Sequence, residues 1–517
     1  MKPLARRDLL RAAAAIAIAS SCKSDDEGVP ETHTAALVIG TGFGGAVAAL
    51  RLGLAGIETI VLERGRRWPT TPAGDTFCEF EKPDKRCSWL SDHTVFPYAP
   101  PANFDPYVGV IEKIEASEID VIVGAGVGGG SLVYGATIVQ PAREVFAKVF
   151  PAEISYDELA TTYYPRVRDM LACSPIPDDV LASAPYGSSR MFLEAANKTT
   201  LKVEKNLAAV SWDRVRDELA GRAPASLIKG QLIYGVNSGA KNSLDKNYLD
   251  QAERTGKVKI ETLHVATAIA RSGDGYRIEC DVIDEQGNVV DKRVFVTPRL
   301  FLAAGSMGTT KLLVKAKATG ALPLLDDSVG RGWGNNGDYL LARQLEVATT
   351  PILGAPPAVV VHRHDDPRGP ITLEHGTGAT GRECNCQPIL GMGIPGANGT
   401  FAYDAATDQV ALTWSKSDMG IIPDLVRELV TEINTAGGGS ILDIGSLARF
   451  NTYHPLGGAV MGKTCDLEGR VKNYPGLYVV DGAFLPGSSA CSNPSYTIAA
   501  IAERNVERIL ASDFRTS

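Results

Sequence analysis

The sequence predicts a mixed α/β fold in two domains, one of them discontinuous along the chain. Three observations carry this expectation. Residues 35–63 form a complete strand–turn–helix–strand unit. Apolar stretches of strand length ending in a glycine recur far downstream, at 300–306 and 477–482. At 517 residues the chain also exceeds what one core usually holds.

The first thirty residues read as an address. Arg6 and Arg7 precede Asp8-Leu9-Leu10, and an alanine-rich run continues to Ala19. A twin arginine ahead of a short apolar stretch fits an export signal for proteins folded before transport. The run falls short of the roughly 20 residues that span a bilayer. An alanine-rich first helix is the alternative. Residues 18–22 also have the form of a weak lipoprotein cleavage box, which would place a lipid on Cys22. The expected destination is periplasmic, envelope-anchored or extracellular.

Composition narrows the partners. A net charge of −8 with no basic stripe argues against nucleic acid. Nine cysteines are too scattered for a disulfide scaffold, although Cys78 and Cys87 in a polar loop could pair. Cys384-Asn385-Cys386 lacks zinc-site spacing, and no metal is expected.

The 35–63 unit reads as a Rossmann-like dinucleotide site. An apolar strand precedes Gly40-Thr41-Gly42-Phe43-Gly44-Gly45, and a helical pattern follows through Ala46, Ala49, Leu50 and Leu54. Gly40 permits the tight turn, Gly42 lets backbone approach a pyrophosphate, and Gly45 allows close helix–strand packing. The helix N-terminus offers free N–H groups. Glu63 ends the second strand, where an acid can accept from ribose hydroxyls. This fingerprint alone does not separate NAD from FAD.

Downstream, the glycine run 124–131 suits backbone passing closely over a flat ring or a diphosphate, and its apolar flanks argue for burial. The 300–306 stretch reads as a buried strand running into a glycine turn. The strand at 477–481 presents Asp481, which could hold a polar cofactor chain or cap a turn. Residues 68–108 look like loop, 155–175 and 422–434 like helix, 258–304 like alternating strands, and 497–510 like a last helix. The expected partition is a leader at 1–30, a cofactor domain from 31–150, 235–330 and 451–517, and a substrate domain from 151–234 and 331–450.

These segments, with His454-Pro455-Leu456-Gly457-Gly458 and Asn493-Pro494, resemble the glucose–methanol–choline oxidoreductases. Within that family the chain is most similar to the cholesterol oxidases that hold FAD without a covalent link. Residues 103–107 and 400–408 share in the likeness. The resemblance implies FAD, with a sheet of the substrate domain roofing the flavin. It places Gly40, Gly42, Gly45 and Glu63 on the adenosine diphosphate, Val265 beside adenine, Gly129 near the flavin, and Asp481 and Gly482 along the ribityl-diphosphate chain.

Oxidising an alcohol requires a hydride acceptor, which a flavin supplies, and a partner for the hydroxyl proton. His454 suits the second role because imidazole both donates and accepts near neutral pH. Asn493 could hydrogen-bond the substrate oxygen or cap the last helix; the resemblance favours the first. Glu374, in the apolar pattern Ile371-Thr372-Leu373-Glu374, matches the base that moves a steroid double bond after oxidation. The alternative is an edge-strand surface glutamate. His375 would point to the opposite face. The implied substrate is a small apolar alcohol, a sterol, with molecular oxygen or another electron acceptor and peripheral contact with a sterol-bearing membrane. Tyr134, Ala136 and Thr137 depart from the family pattern near the flavin, and Thr372 stands where a bulky residue bearing on oxygen access is expected, which leaves open a dehydrogenase acting on another alcohol and passing electrons to a carrier. A sterol-binding flavoprotein is a third reading.

Overall fold

Four consecutive buried apolar residues, Ala36–Ile39, form an inner strand of a five-stranded parallel sheet. Its neighbours are Thr59–Glu63 and Leu300–Leu302, with Val258–Thr262 and Leu477–Val479 at the edges. Strands covered on both faces are apolar throughout rather than alternating, which is why these runs were legible. The computed structural model describes residues 29–346, 352–376, 378–379, 385–442 and 449–514. The twin arginine, Cys22 and Cys384 lie outside the described residues.

Helix Phe43–Leu54 packs against helices Tyr248–Arg254 and Pro494–Asp513, so the first and last thirds of the chain share one core. The 300–306 stretch differs from the sequence expectation: Gly305 opens a helix, Gly305–Ala318. That helix is packed on both sides, by the strand His264–Ser272 and by the strands Gly399–Asp404 and Gln409–Thr413. Polar Ser306, Thr309 and Thr310 are therefore buried with Leu313, and no amphipathic stripe marks the helix.

Residues 68–108 hold only isolated bridges, and Trp68, Phe77, Phe96 and Tyr107 gather into a small separate core. Cys78 and Cys87 are buried there as free thiols. Among the described residues no helix is long and apolar enough to cross a membrane.

The roof is a six-stranded antiparallel sheet in the order Ser440–Leu442, Tyr339–Gln344, Cys386–Met392, Ile371–His375, Val359–Arg363, Lys202–Lys205. The amphipathic helix Ile422–Gly437 covers its back through Leu425, Val426, Leu429 and Ile433. Register then decides which way Glu374 looks. Leu373 lies opposite Gly391, and a side chain on Gly391 would meet Val426 at 2.4 Å, so that pair faces the helix. Glu374 lies opposite Leu390, and Leu390 opposite Leu340; cross-strand partners share a face, so these three look the other way. His375 points to the helix side, where its Nε2 accepts from the Ala358 N–H and its ring meets Phe192.

Candidate active site

The glycines of the first turn are fixed by close packing. Gly40 holds φ +101°, and a Cβ there would lie 2.2 Å from the Ala303 carbonyl. A Cβ on Gly45 would strike the Gly40 carbonyl at 2.0 Å, and one on Gly44 the Val480 carbonyl at 1.9 Å. Gly42 is different: nothing lies within 4 Å of its missing Cβ, which opens onto the cavity. Its role is to leave room for a ligand. Gly129, at φ +52°, lays the second glycine run over the first, since its Cβ would touch the Gly42 Cα at 2.8 Å. The first N–H groups of helix Phe43–Leu54 have no intrahelical acceptor and suit an anion at this end.

Two carboxylates brace the cradle. Glu63 accepts from the Thr41 N–H and hydroxyl and from the Gly65 N–H, tying the first glycine turn to the end of its neighbouring strand. Its side chain borders the cavity as well. Asp481 accepts from Gly305 N (2.8 Å), Thr309 Oγ1 (2.5 Å) and Ala483 N (2.9 Å), which fixes the start of helix Gly305–Ala318. Burial pushes its pKa up to about 6, against the pull of those donors.

One continuous cavity of about 1570 Å³ runs from the Gly40 turn and Val265 past Gly129 and Gly482 to His454. Pockets for a single small ligand typically fall between about 300 and 1,000 Å³, so this one has room for a cofactor and a substrate together. Phe96, Ile233, Leu340 and Leu390 give its far end an apolar wall.

Three polar side chains meet at that end. His454 Nδ1 lies 2.9 Å from Asp338 Oδ1. A carboxylate accepts, so Nδ1 carries the proton and Nε2 is the nitrogen left for the cavity. Asp338 is buried and also accepts from Thr452 Oγ1 at 2.7 Å, while the same hydroxyl receives the His454 N–H at 3.0 Å. Burial works against a charged imidazole, but the carboxylates of Asp338 and Glu374 outweigh it and raise the His454 pKa. Asn493 is the N-cap of helix Pro494–Asp513, yet its side chain makes no capping bond. Its amide instead lies beside Glu374, whose pKa it draws down, and its Oδ1 is buried without a partner. Glu374 is buried in the roof, with Oε1 unpartnered as well. Burial raises its pKa to about 7, although His454 and Asn493 pull it down. His454, Asn493 and Glu374 thus converge; Asp338 was missed by sequence reasoning.

Family profiles described as GMC oxidoreductase match residues 34–322 and 415–502. The chain is a GMC oxidoreductase. It is similar to a cholesterol oxidase of Acinetobacter baumannii (23% identical, covering 92% of this chain and 94% of that one). A cholesterol oxidase of Mycobacterium tuberculosis is 26% identical, with 90% and 89% covered. Pyridoxine 4-oxidase from Mesorbium loti superposes with a TM-score of 0.64 at 15% identity, covering 94% of this chain and all of that one. A fungal aryl-alcohol oxidase gives 0.64 at 12%, covering 93% and 99%. Those likenesses establish the shared fold.

GMC oxidoreductases are FAD-binding flavoproteins acting on alcohols, and the open side of Gly42 and the long cavity fit FAD. The departures from the family pattern have distinct settings in this GMC oxidoreductase. Thr372 is fully buried, its hydroxyl between His362 Nδ1 (3.1 Å) and His364 Nε2 (3.0 Å). Tyr134 borders the cavity with its ring edge-on to Phe43 and its hydroxyl unpartnered. Ala136 is buried at φ +53°, and Thr137 begins the short strand Thr137–Ile138.

Two glycine substitutions separate support from contact. Gly44→Ala drives a methyl into the Val480 carbonyl and is expected to destabilise the protein by about 3 kcal/mol. Gly42→Ala meets no protein atom, so the apoprotein should melt as before while FAD affinity falls about 10- to 100-fold. Melting curves of apoprotein and fluorescence titration with FAD read the two effects separately.

Proposed function

We propose that this GMC oxidoreductase is a 3β-hydroxysteroid oxidase that also moves the ring double bond from Δ5 to Δ4. The observation that carries the reading is Glu374: a buried carboxylate with a free oxygen, facing His454 and Asn493 across an apolar cavity. Bound FAD supplies the hydride acceptor. His454 Nε2 takes the hydroxyl proton, and the imidazolium so formed is held by Asp338. The Asn493 amide orients the alcohol oxygen. The carbonyl product makes the neighbouring C4 proton acidic; Glu374 removes it and returns it at C6. The similarity to two cholesterol oxidases over most of the chain favours a sterol over a polar alcohol. Export through the twin-arginine leader belongs to the same proposal, placing the enzyme where a sterol-bearing membrane could be met.

Anaerobic mixing of the yellow holoenzyme with cholesterol, followed by air, tests this reading. Bleaching of the flavin and rapid recovery in air is the expected result. Bleaching with slow recovery would make the protein a dehydrogenase passing electrons to a carrier. A flavin left oxidised by cholesterol would remove the sterol from the proposal.

A further inference from the structure

His454 and Asn493 are 39 residues apart by their numbers and sit on different elements, yet one short loop touches the supports of both. Asn335-Asn336-Gly337-Asp338 joins the strand Arg331–Gly334, which pairs with Leu456 beside the histidine, to the roof strand Tyr339–Gln344. Asp338 at one end holds His454 Nδ1. Two residues earlier, Asn336 reaches the turn that delivers Asn493. Its Nδ2 donates to the Ser492 carbonyl at 2.9 Å, and its Oδ1 accepts from the Ser489 N–H at 2.8 Å. The Ser489 hydroxyl lies 2.9 Å from the same oxygen.

That turn needs holding. Ala490 and Cys491 take φ of +63° and +58° in succession, a region where a side chain is disfavoured and which persists only when neighbours over-determine it. Asn336 is fully buried and spans the turn from residue 489 to residue 492, the position before Asn493. We propose that Asn336 is a positioning residue for Asn493, so that loop 335–338 is a common mount fixing the proton acceptor and the amide relative to each other and to the roof. The proposal rests on the catalytic reading of Asn493.

A double-mutant cycle tests it. Asn336 has φ +60°, so glycine removes the side chain without adding backbone strain. In holoenzyme, Asn336→Gly is expected to lower the single-turnover rate of flavin reduction by cholesterol about 10- to 100-fold. KM, FAD content and the flavin spectrum should stay within about twofold of the parent. In an Asn493→Ala background the same change should cost less than about twofold, because the group it positions is gone. Multiplicative effects in the cycle, or activity loss that tracks FAD loss, would overturn the proposal. If Asn336→Gly fails to fold, Ser489→Ala weakens the same contact from the other side; an FAD-replete Ser489→Ala enzyme with parental rate would equally overturn it. An Asn493→Ala enzyme of parental rate would instead refute the underlying role of Asn493. Should cholesterol leave the parent flavin oxidised, the sterol reading falls alone and the cycle is read with benzyl alcohol.

Discussion

Replacing His454 by alanine is expected to slow flavin reduction by about a thousandfold while leaving FAD bound and the protein folded. The ring contributes little to the core: its backbone is set by Thr452 and the following proline, and its side chain reaches from Asp338 into the cavity. On the proposed mechanism, what is lost is the acceptor for the hydroxyl proton. A second variant fixes the assignment. Asp338→Asn keeps an oxygen for the Nδ1 proton but removes the negative charge that favours imidazolium. The flavin-reduction rate should rise with pH as His454 becomes neutral, and in Asp338→Asn that limb should move to lower pH with a lower plateau. Rapid-scan kinetics across a pH series reads both. An unmoved limb in Asp338→Asn would mean that another group accepts the proton.

The difference between His454 and Asp338 shows what kind of site information a sequence holds. His454 sits in a proline–glycine turn that is unusual at first sight, and Gly40 to Glu63 spell out a local unit whose parts touch within thirty residues. Local sterics write such motifs into the chain. Asp338 and Asn336 act across more than a hundred residues, on His454 and on 489–492, and nothing in their own neighbours foretells those partners. The roof illustrates the same limit, because Lys202–Lys205 pairs with Val359–Arg363 across a long stretch of unrelated structure. Glu374 lay between these cases. Its apolar surroundings in sequence suggested a buried strand, but its facing required the register that sets Gly391 against Val426. Asn493 offered two roles in the sequence, and the structure bears on one of them, since its side chain makes no capping bond.

Glu374→Gln should then part the two activities. Flavin reduction by cholesterol is expected to stay within about threefold of the parent, since His454 and Asn493 are intact, while isomerisation falls by about a thousandfold and the unconjugated ketone accumulates. Product absorbance distinguishes the conjugated enone from its precursor. The parent's isomerisation should rise with pH through about 7 as Glu374 ionises, and the variant should lack that limb. Stability supplies a readout independent of turnover. Burial holds the folded carboxyl at about 7 against an ordinary value of 4.5, so the native state keeps its proton where the unfolded chain has lost it. The resulting stabilisation is present below pH 4.5 and is lost as pH rises through 7. Glutamine, neutral throughout, should therefore melt at a higher temperature than the parent at pH 8 and show no such gain at pH 4.5. Equal loss of oxidation and isomerisation would give Glu374 to the alcohol step instead. A melting difference that ignores pH would mean that the folded and unfolded carboxyls titrate alike, so that burial does not hold Glu374 near 7 and the base is not tuned by the cavity.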